Sequence, residues 1–171
     1  TFGEATSEID SHLQIYQSIS SGINFIDTAE MYPTCPLREE TTGDTEVIIG
    51  NWIEKNKSKR ADFILATKIS GKGYKAVRNG EGIDEKSIKI AIEGSLKKLK
   101  TDYIDLYQLH WPNRGSYHFR QTWNYNPTNQ DTEIAKDNIN GVLNSLSDLQ
   151  KEGKIRHIGL SNETAWGLTK F

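Results

Sequence analysis

The chain has a single cysteine, Cys35, in 171 residues, so no disulfide can form within it and cross-linking is excluded as the source of its stability. It lacks any excess of charge: 21 Lys and Arg stand against 23 Asp and Glu, a net of -2, and no run of one sign marks a tail or a phosphate-backbone groove. Nucleic acid is therefore not an expected partner. No apolar stretch approaches the roughly 18 residues that a membrane helix needs, and the opening TFGEATSEID has neither a basic nor an apolar leader segment. A membrane is not expected either. The lone cysteine fits a reducing compartment, so the expected location is cytoplasmic. No G-x-G-x-x-G follows any strand-like segment, which argues against a Rossmann dinucleotide site.

What is present is an alternation. A composition of 35% apolar and 26% charged residues is that of a globular domain long enough for one sizeable core. Ile9, Leu13, Tyr16 and Ile19 recur at helical spacing before Gly22, a residue suited to end a helix. The strand-like INFIDTA follows, then an amphipathic helix over 45–56 with Ile48 and Trp52 inward and Asp44 or Thr45 as cap. FILATKI (63–69) reads as a second strand, and Asp84 opens a helix with Ile88, Ile92, Leu96 and Leu99 on one face. YIDLYQLH (103–110) is a third strand. Ile139, Val142, Leu143, Leu146 and Leu149 form the stripe of a fourth helix that stops at Gly153, and IRHIGLS (155–161) is the fourth strand.

Strands alternating with helices imply a parallel sheet with crossover helices. Helix-to-strand links are short, whereas strand-to-helix links are long: 33–43, 70–83 and 111 to about 133. All the long loops then lie on one face, at the C-terminal ends of the strands, where α/β proteins bind ligands. The strands supplied are too few for the eight of a complete barrel, so the expected architecture is a partial one, with Thr1 to Gly3 as the stub of an earlier strand.

Each strand ends in polar chemistry. The first ends in Asp27 with Tyr32 just beyond, the second in Thr67-Lys68, the third in His110-Trp111, the fourth in Ser161-Asn162. Taken singly, an Asp caps a turn, a Tyr packs on a rim, a Lys guards a strand end, and Asn162 caps a helix. Together they form a proton-donor set. An unperturbed tyrosine titrates near pH ~10, too high for an efficient donor. A lysine ammonium about 4 Å away is worth roughly 4 kcal/mol at an effective dielectric near 20, which would bring Tyr32 toward neutrality. Asp27 would keep Lys68 charged, and His110 could donate to a substrate oxygen. Such a set suits carbonyl reduction once a nicotinamide or similar cofactor brings the hydride.

The segments GINFIDTAEMY, LATKI, DYIDLYQLHWP and GKIRHIGLSN resemble, in order and spacing, the successive signatures of aldo-keto reductases, particularly the bacterial Tas-type NADP(H)-dependent branch. The resemblance runs over essentially the whole chain. It implies a (β/α)8 TIM barrel of which residues 1–171 supply roughly the N-terminal half as one partial domain, from the tail of strand 1 through strand 5. It implies a catalytic tetrad of Asp27, Tyr32, Lys68 and His110, with Tyr32 as general acid. Ser161 and Asn162 would bind the nicotinamide of NADP(H), and Trp111 would line the pocket for a small-molecule carbonyl substrate. The family's other cofactor-binding residues would lie in the second half of the barrel.

Other readings stay open. The fold also serves redox-sensing regulatory subunits, Lys68 could form a Schiff base, and a half barrel could be inactive. A homo-oligomer is left open. Tyr117, Phe119, Trp123 and Tyr125 in the third long loop form either a substrate wall or a loop packed on itself. Asp105 is expected to make a buried structural hydrogen bond. His12, His118 and His157 show no metal-ligand spacing and are read as bystanders.

Overall fold

The computed structural model describes residues 2–119 and 121–171. Its order is α1 (Glu8–Ser20), β1 (Phe25–Asp27), α2 (Asp44–Lys55), β2 (Ile64–Ile69), α3 (Glu85–Leu99), β3 (Ile104–Leu109), α4 (Thr132–Lys151), β4 (Ile155–Leu160) and a short α5 (Ala165–Leu168). The strands form one parallel sheet in the order β1-β2-β3-β4. Because that order follows the chain without reversal, every crossover steps the same way and lays its helix on the same side of the sheet. The other side becomes the inner wall of a partial barrel.

Helix ends follow the expected chemistry with one exception. Asp84 caps α3 through a reciprocal capping box with Ser87, and Gly22 and Gly153 take left-handed backbone just past α1 and α4. At α2 the cap is Gly43 (φ 92°) without a side-chain bond, and Asp44 is already helical. The sequence points to Asp44 or Thr45 there, but Thr45 spends its hydroxyl on the Phe2 carbonyl (2.7 Å).

The core lies between the sheet and its helices. Ile49, Trp52 and Ile53 of α2, Ile88, Ile92 and Leu99 of α3, and Val142, Leu146 and Leu149 of α4 close over Leu65, Ile69, Tyr107 and Leu109. α1 departs from expectation. Its buried residues are Ser11 and Ile15, whereas Ile9, Leu13 and Tyr16 are 80%, 52% and 53% exposed. Periodicity identifies an apolar stripe but not the neighbour that covers it. On the inner wall, the register partners Phe25 and Ile64 are likewise open. Phe2 and Gly3 add no strand to the sheet: Phe2 makes one isolated bridge to Thr6, while Thr1 lies outside the described residues.

At the N-terminal end of the sheet, Asp105 is buried as expected. It accepts from Arg60 Nη2 (2.8 Å), the Leu65 amide (3.0 Å) and Arg156 Nη1 (2.8 Å). The two guanidinium carbons lie 3.9 and 4.0 Å from the centroid of Tyr103. Arg60 also donates to the Thr101 hydroxyl and to the Phe63 and Tyr103 carbonyls. Among the described residues no helix is long and apolar enough to cross a membrane.

Candidate active site

The opposite end of the sheet gathers the strand-end residues. β1 is only three residues long, but the chain keeps tracking β2 beyond it through Thr28 N to Ala66 O (2.9 Å) and Glu30 N to Lys68 O (3.1 Å). That extension places Asp27 beside Lys68. Lys68 Nζ donates to Asp27 Oδ2 (2.6 Å) and to the Thr28 carbonyl (2.8 Å), with the lysine buried and the carboxylate half exposed. Tyr32 lies over this pair, its ring centroid 5.4 Å from Nζ, and its hydroxyl approaches His110 Nε2 at 3.5 Å, the long limit of a hydrogen bond. Asp27, Tyr32, Lys68 and His110 therefore meet in one place.

The electrostatics correct one expectation. Burial, and then the Asp27 carboxylate, push the Tyr32 phenol above its ordinary range. Lys68 does not draw it toward neutrality, because the ammonium is bonded to Asp27 and Thr28 rather than to the phenol. Tyr32 thus holds its proton firmly. His110 is pushed down to about 3 by burial, with Lys68 and His118 adding to the effect, so its imidazole is neutral at ordinary pH. Its Nδ1 is buried and has no partner among the described residues. A tautomer with the proton on Nε2 leaves only a lone pair unpartnered there and aims a donor at the Tyr32 side of the site.

The third long loop packs partly on itself and partly against His110 and Trp111. Tyr117 and Tyr125 pack on each other with centroids 4.6 Å apart, and Trp123 is 92% exposed. Phe119 instead turns its ring edge-on to Trp111 (5.2 Å) and His110 (6.0 Å) from a left-handed backbone, φ 49°. Trp111 is buried beside His110 with its indole N–H on the Lys72 carbonyl (3.1 Å), so Phe119 presents more of the wall to the opening. His118, expected to be a bystander, stands in this wall, 4.6 Å from Phe119 and 6.0 Å from Trp111 by ring centroids.

Ser161 and Asn162 reach the same face. Asn162 does not cap the following helix, since Thr164 caps α5 by accepting from Gly167 N. Asn162 takes a left-handed backbone (φ 53°) and donates Nδ2 to the His110 carbonyl (2.9 Å) and to Ser161 Oγ (3.0 Å). It thereby ties β4's end to the histidine.

Two neighbours gave no local signal in sequence. Gln108, two residues before His110, donates Nε2 to Asp27 Oδ1 at 2.9 Å. Buried Glu30 accepts from the Ser70 amide and from Arg78 Nη1 (2.5 Å to Oε2), and Arg78 Nη2 returns to the Ser70 carbonyl (2.7 Å). This knot fixes the loop after β2 to the segment that carries Tyr32. Its partners lie 40 and 48 residues apart, beyond the reach of any spacing rule.

Residues 6–171 match the profile of the Aldo/keto reductase family. Protein tas of Escherichia coli (strain K12) is 44% identical over all of this chain and 49% of its own length. Aryl-alcohol dehydrogenase [NADP(+)] of Phanerodontia chrysosporium is 30% identical over 99% of this chain and 38% of its own. The solved holo structure of an aldo-keto reductase from Bacillus halodurans superposes with a TM-score of 0.63 at 28% identity, over 92% of this chain and 42% of that one. The chain spans about half the length of tas, and less of the other two. With four parallel strands in unreversed order and a family profile over nearly its full length, the chain belongs to the aldo-keto reductase family and supplies part of that family's (β/α)8 barrel.

Proposed function

We propose that the protein carrying this chain reduces aldehydes or ketones to alcohols, with NADPH as hydride source and Tyr32 as proton donor. The convergence of Tyr32, His110 and the Lys68–Asp27 pair at the strand ends carries this reading. A carbonyl oxygen entering between Tyr32 and His110 meets a phenol O–H and a neutral imidazole N–H. Both polarise it toward hydride attack at carbon. As the oxygen becomes an alkoxide, Tyr32 passes it the proton. An alkoxide is a stronger base than a phenolate, so this transfer is downhill even from a phenol pushed up by burial. Lys68's ammonium then faces the nascent phenolate.

Ser161 and Asn162 suit the carboxamide end of a nicotinamide. Asn162 Oδ1 accepts no hydrogen bond among the described residues, and Ser161 Oγ can accept or donate, which matches an amide's two polar ends. The cofactor supplies the hydride. The wall of Trp111, His118 and Phe119 beside His110 favours a flat aromatic carbonyl substrate, in keeping with a relative named as an aryl-alcohol dehydrogenase. A Schiff-base role for Lys68 is disfavoured, because an ammonium bonded to a carboxylate offers no lone pair.

Fluorescence titration of the full-length protein with NADPH and NADH, followed by turnover of aromatic and aliphatic aldehydes and ketones, tests the reading. NADPH binding with faster reduction of the aromatic carbonyls is expected. Absence of nicotinamide binding would defeat it.

A further inference from the structure

Among the described residues, Gln108 is the one uncharged side chain bonded to the Asp27–Lys68 pair. The register places it opposite Lys68 on β2 and opposite Gly159 on β4, and places Asp27 opposite Ala66. Side chains alternate across a strand, so Asp27, Ala66, Lys68, Gln108 and Gly159 all belong to the inner wall. Gln108 reaches from β3 past β2 to Asp27 on β1, and the residue opposite Asp27 is Ala66, whose methyl leaves that crossing open. Its amide donates to Asp27 Oδ1 (2.9 Å) while Lys68 holds Oδ2 (2.6 Å). The carboxylate is thus held by both oxygens, and its plane is set even though half of its surface is exposed.

Gly159 is needed for the same geometry. A Cβ built at that position would lie 3.0 Å from Gln108 Cγ and 3.1 Å from Leu106 Cδ1, tight enough to move both. Nothing about Gly159's own backbone demands glycine, since it takes no positive φ. Its smallness serves the side chain beside it.

We infer that Gln108 is a positioning residue, which locks the Asp27 carboxylate so that Lys68 stays held on it beside the Tyr32 ring, and that Gly159 keeps the space in which Gln108 does so. The inference rests on the reductase reading for its effect on turnover, but not for its effect on Lys68. Freed from Gln108, Asp27 can rotate toward solvent and release Lys68 for part of the time.

The test uses Gln108→Met in the full-length protein, a change that keeps length and volume but removes the donor. Acetylation of Lys68, followed by peptide mass spectrometry without any cofactor, is expected to run several-fold faster than in the wild type. A hydrogen bond to a charged group typically accounts for about 10- to 100-fold, so kcat is expected to fall in that range while KM and NADPH affinity stay within about twofold. Gly159→Ala is expected to reproduce both effects, and to add little in the Gln108→Met background, since both act through one contact. Unchanged Lys68 acetylation in Gln108→Met overturns the inference whatever happens to kcat. A wild type that binds no nicotinamide, with Lys68 acetylation accelerated in the variant, sinks the reductase reading and leaves the positioning contact standing.

Discussion

The sheet carries a carboxylate bonded to cations at each end, and the two clusters differ in how completely their hydrogen bonds are used. At the N-terminal end, buried Asp105 meets two arginines and a backbone amide, Arg60 has a partner on each of its three nitrogens, and Tyr103 is sandwiched between the guanidinium groups. At the C-terminal end, Lys68 has two acceptors for three N–H bonds, Tyr32 has only a 3.5 Å contact, and His110 Nδ1 has no partner among the described residues. In the first cluster the buried groups, Asp105 and Arg60, are taken up by protein partners, and spare donors remain chiefly on Arg156, whose side chain is 56% exposed. The second keeps polar capacity free beneath an opening. Unused hydrogen bonding on buried side chains, more than the presence of charge, separates the candidate active site from its structural counterpart.

Substitutions at each end sharpen this contrast. The largest effect is expected for Tyr32→Phe, which removes the proton donor: steady-state kinetics on an aromatic aldehyde is expected to show a loss of about 10²- to 10⁴-fold in kcat with NADPH affinity kept. Near-wild-type turnover would remove Tyr32 from the mechanism. Asp105→Ala, at the other end, leaves two buried or half-buried arginines without their carboxylate and is expected to lower unfolding free energy by about 3–5 kcal/mol in denaturant titrations. Tyr32→Phe is expected to leave that titration nearly unchanged.

A pH series provides the next test. His110 titrates at about 3 in the folded protein against 6.5 ordinarily, so between those values the folded state binds fewer protons than the unfolded state. Its contribution to stability is therefore constant above about pH 6.5 and is lost progressively as the pH falls toward 3. Denaturation midpoints measured down this range are expected to fall less steeply in His110→Gln than in the wild type. The smallest effect belongs to the wall. Aromatic edge contacts are worth about 0.5–1.5 kcal/mol, so Phe119→Ala is expected to raise KM for an aromatic aldehyde by several-fold and to leave an aliphatic one unaffected.

Much of this geometry could be read in the amino-acid order, because strand-end position and loop length are local properties. Asp27, Tyr32, Lys68 and His110 sit where INFIDTAEMY, LATKI and YIDLYQLH put them, since a parallel sheet points every strand end the same way. What could not be read depends on long-range pairing. Gln108 becomes Asp27's second partner only through the register of three strands, and Glu30 finds Arg78 only once two loops meet. The direction of Tyr32's shift is not legible either, because residue order shows that a cation is near but not which acceptors already hold it. The helix-start pattern that offers Asn162 as a cap, beside its expected place at the nicotinamide, fits Thr164 two residues later. α1's stripe is legible in its spacing, but its outward direction is not.

Beyond His110 the loop after β3 continues to Asp131, and among its described residues Phe119 and His118 stand beside the site while none bonds the side chains of Asp27, Lys68 or Tyr32. On the reductase reading, substrate range and proton donation are therefore encoded in separate stretches of the gene. On that reading selection can rewrite residues 117–129 to admit a new carbonyl compound without first rebuilding a proton donor, and a laboratory library confined to that window would explore specificity while keeping Asn113, Arg114 and Ser116, which anchor Ile83, Glu163 and Asn162.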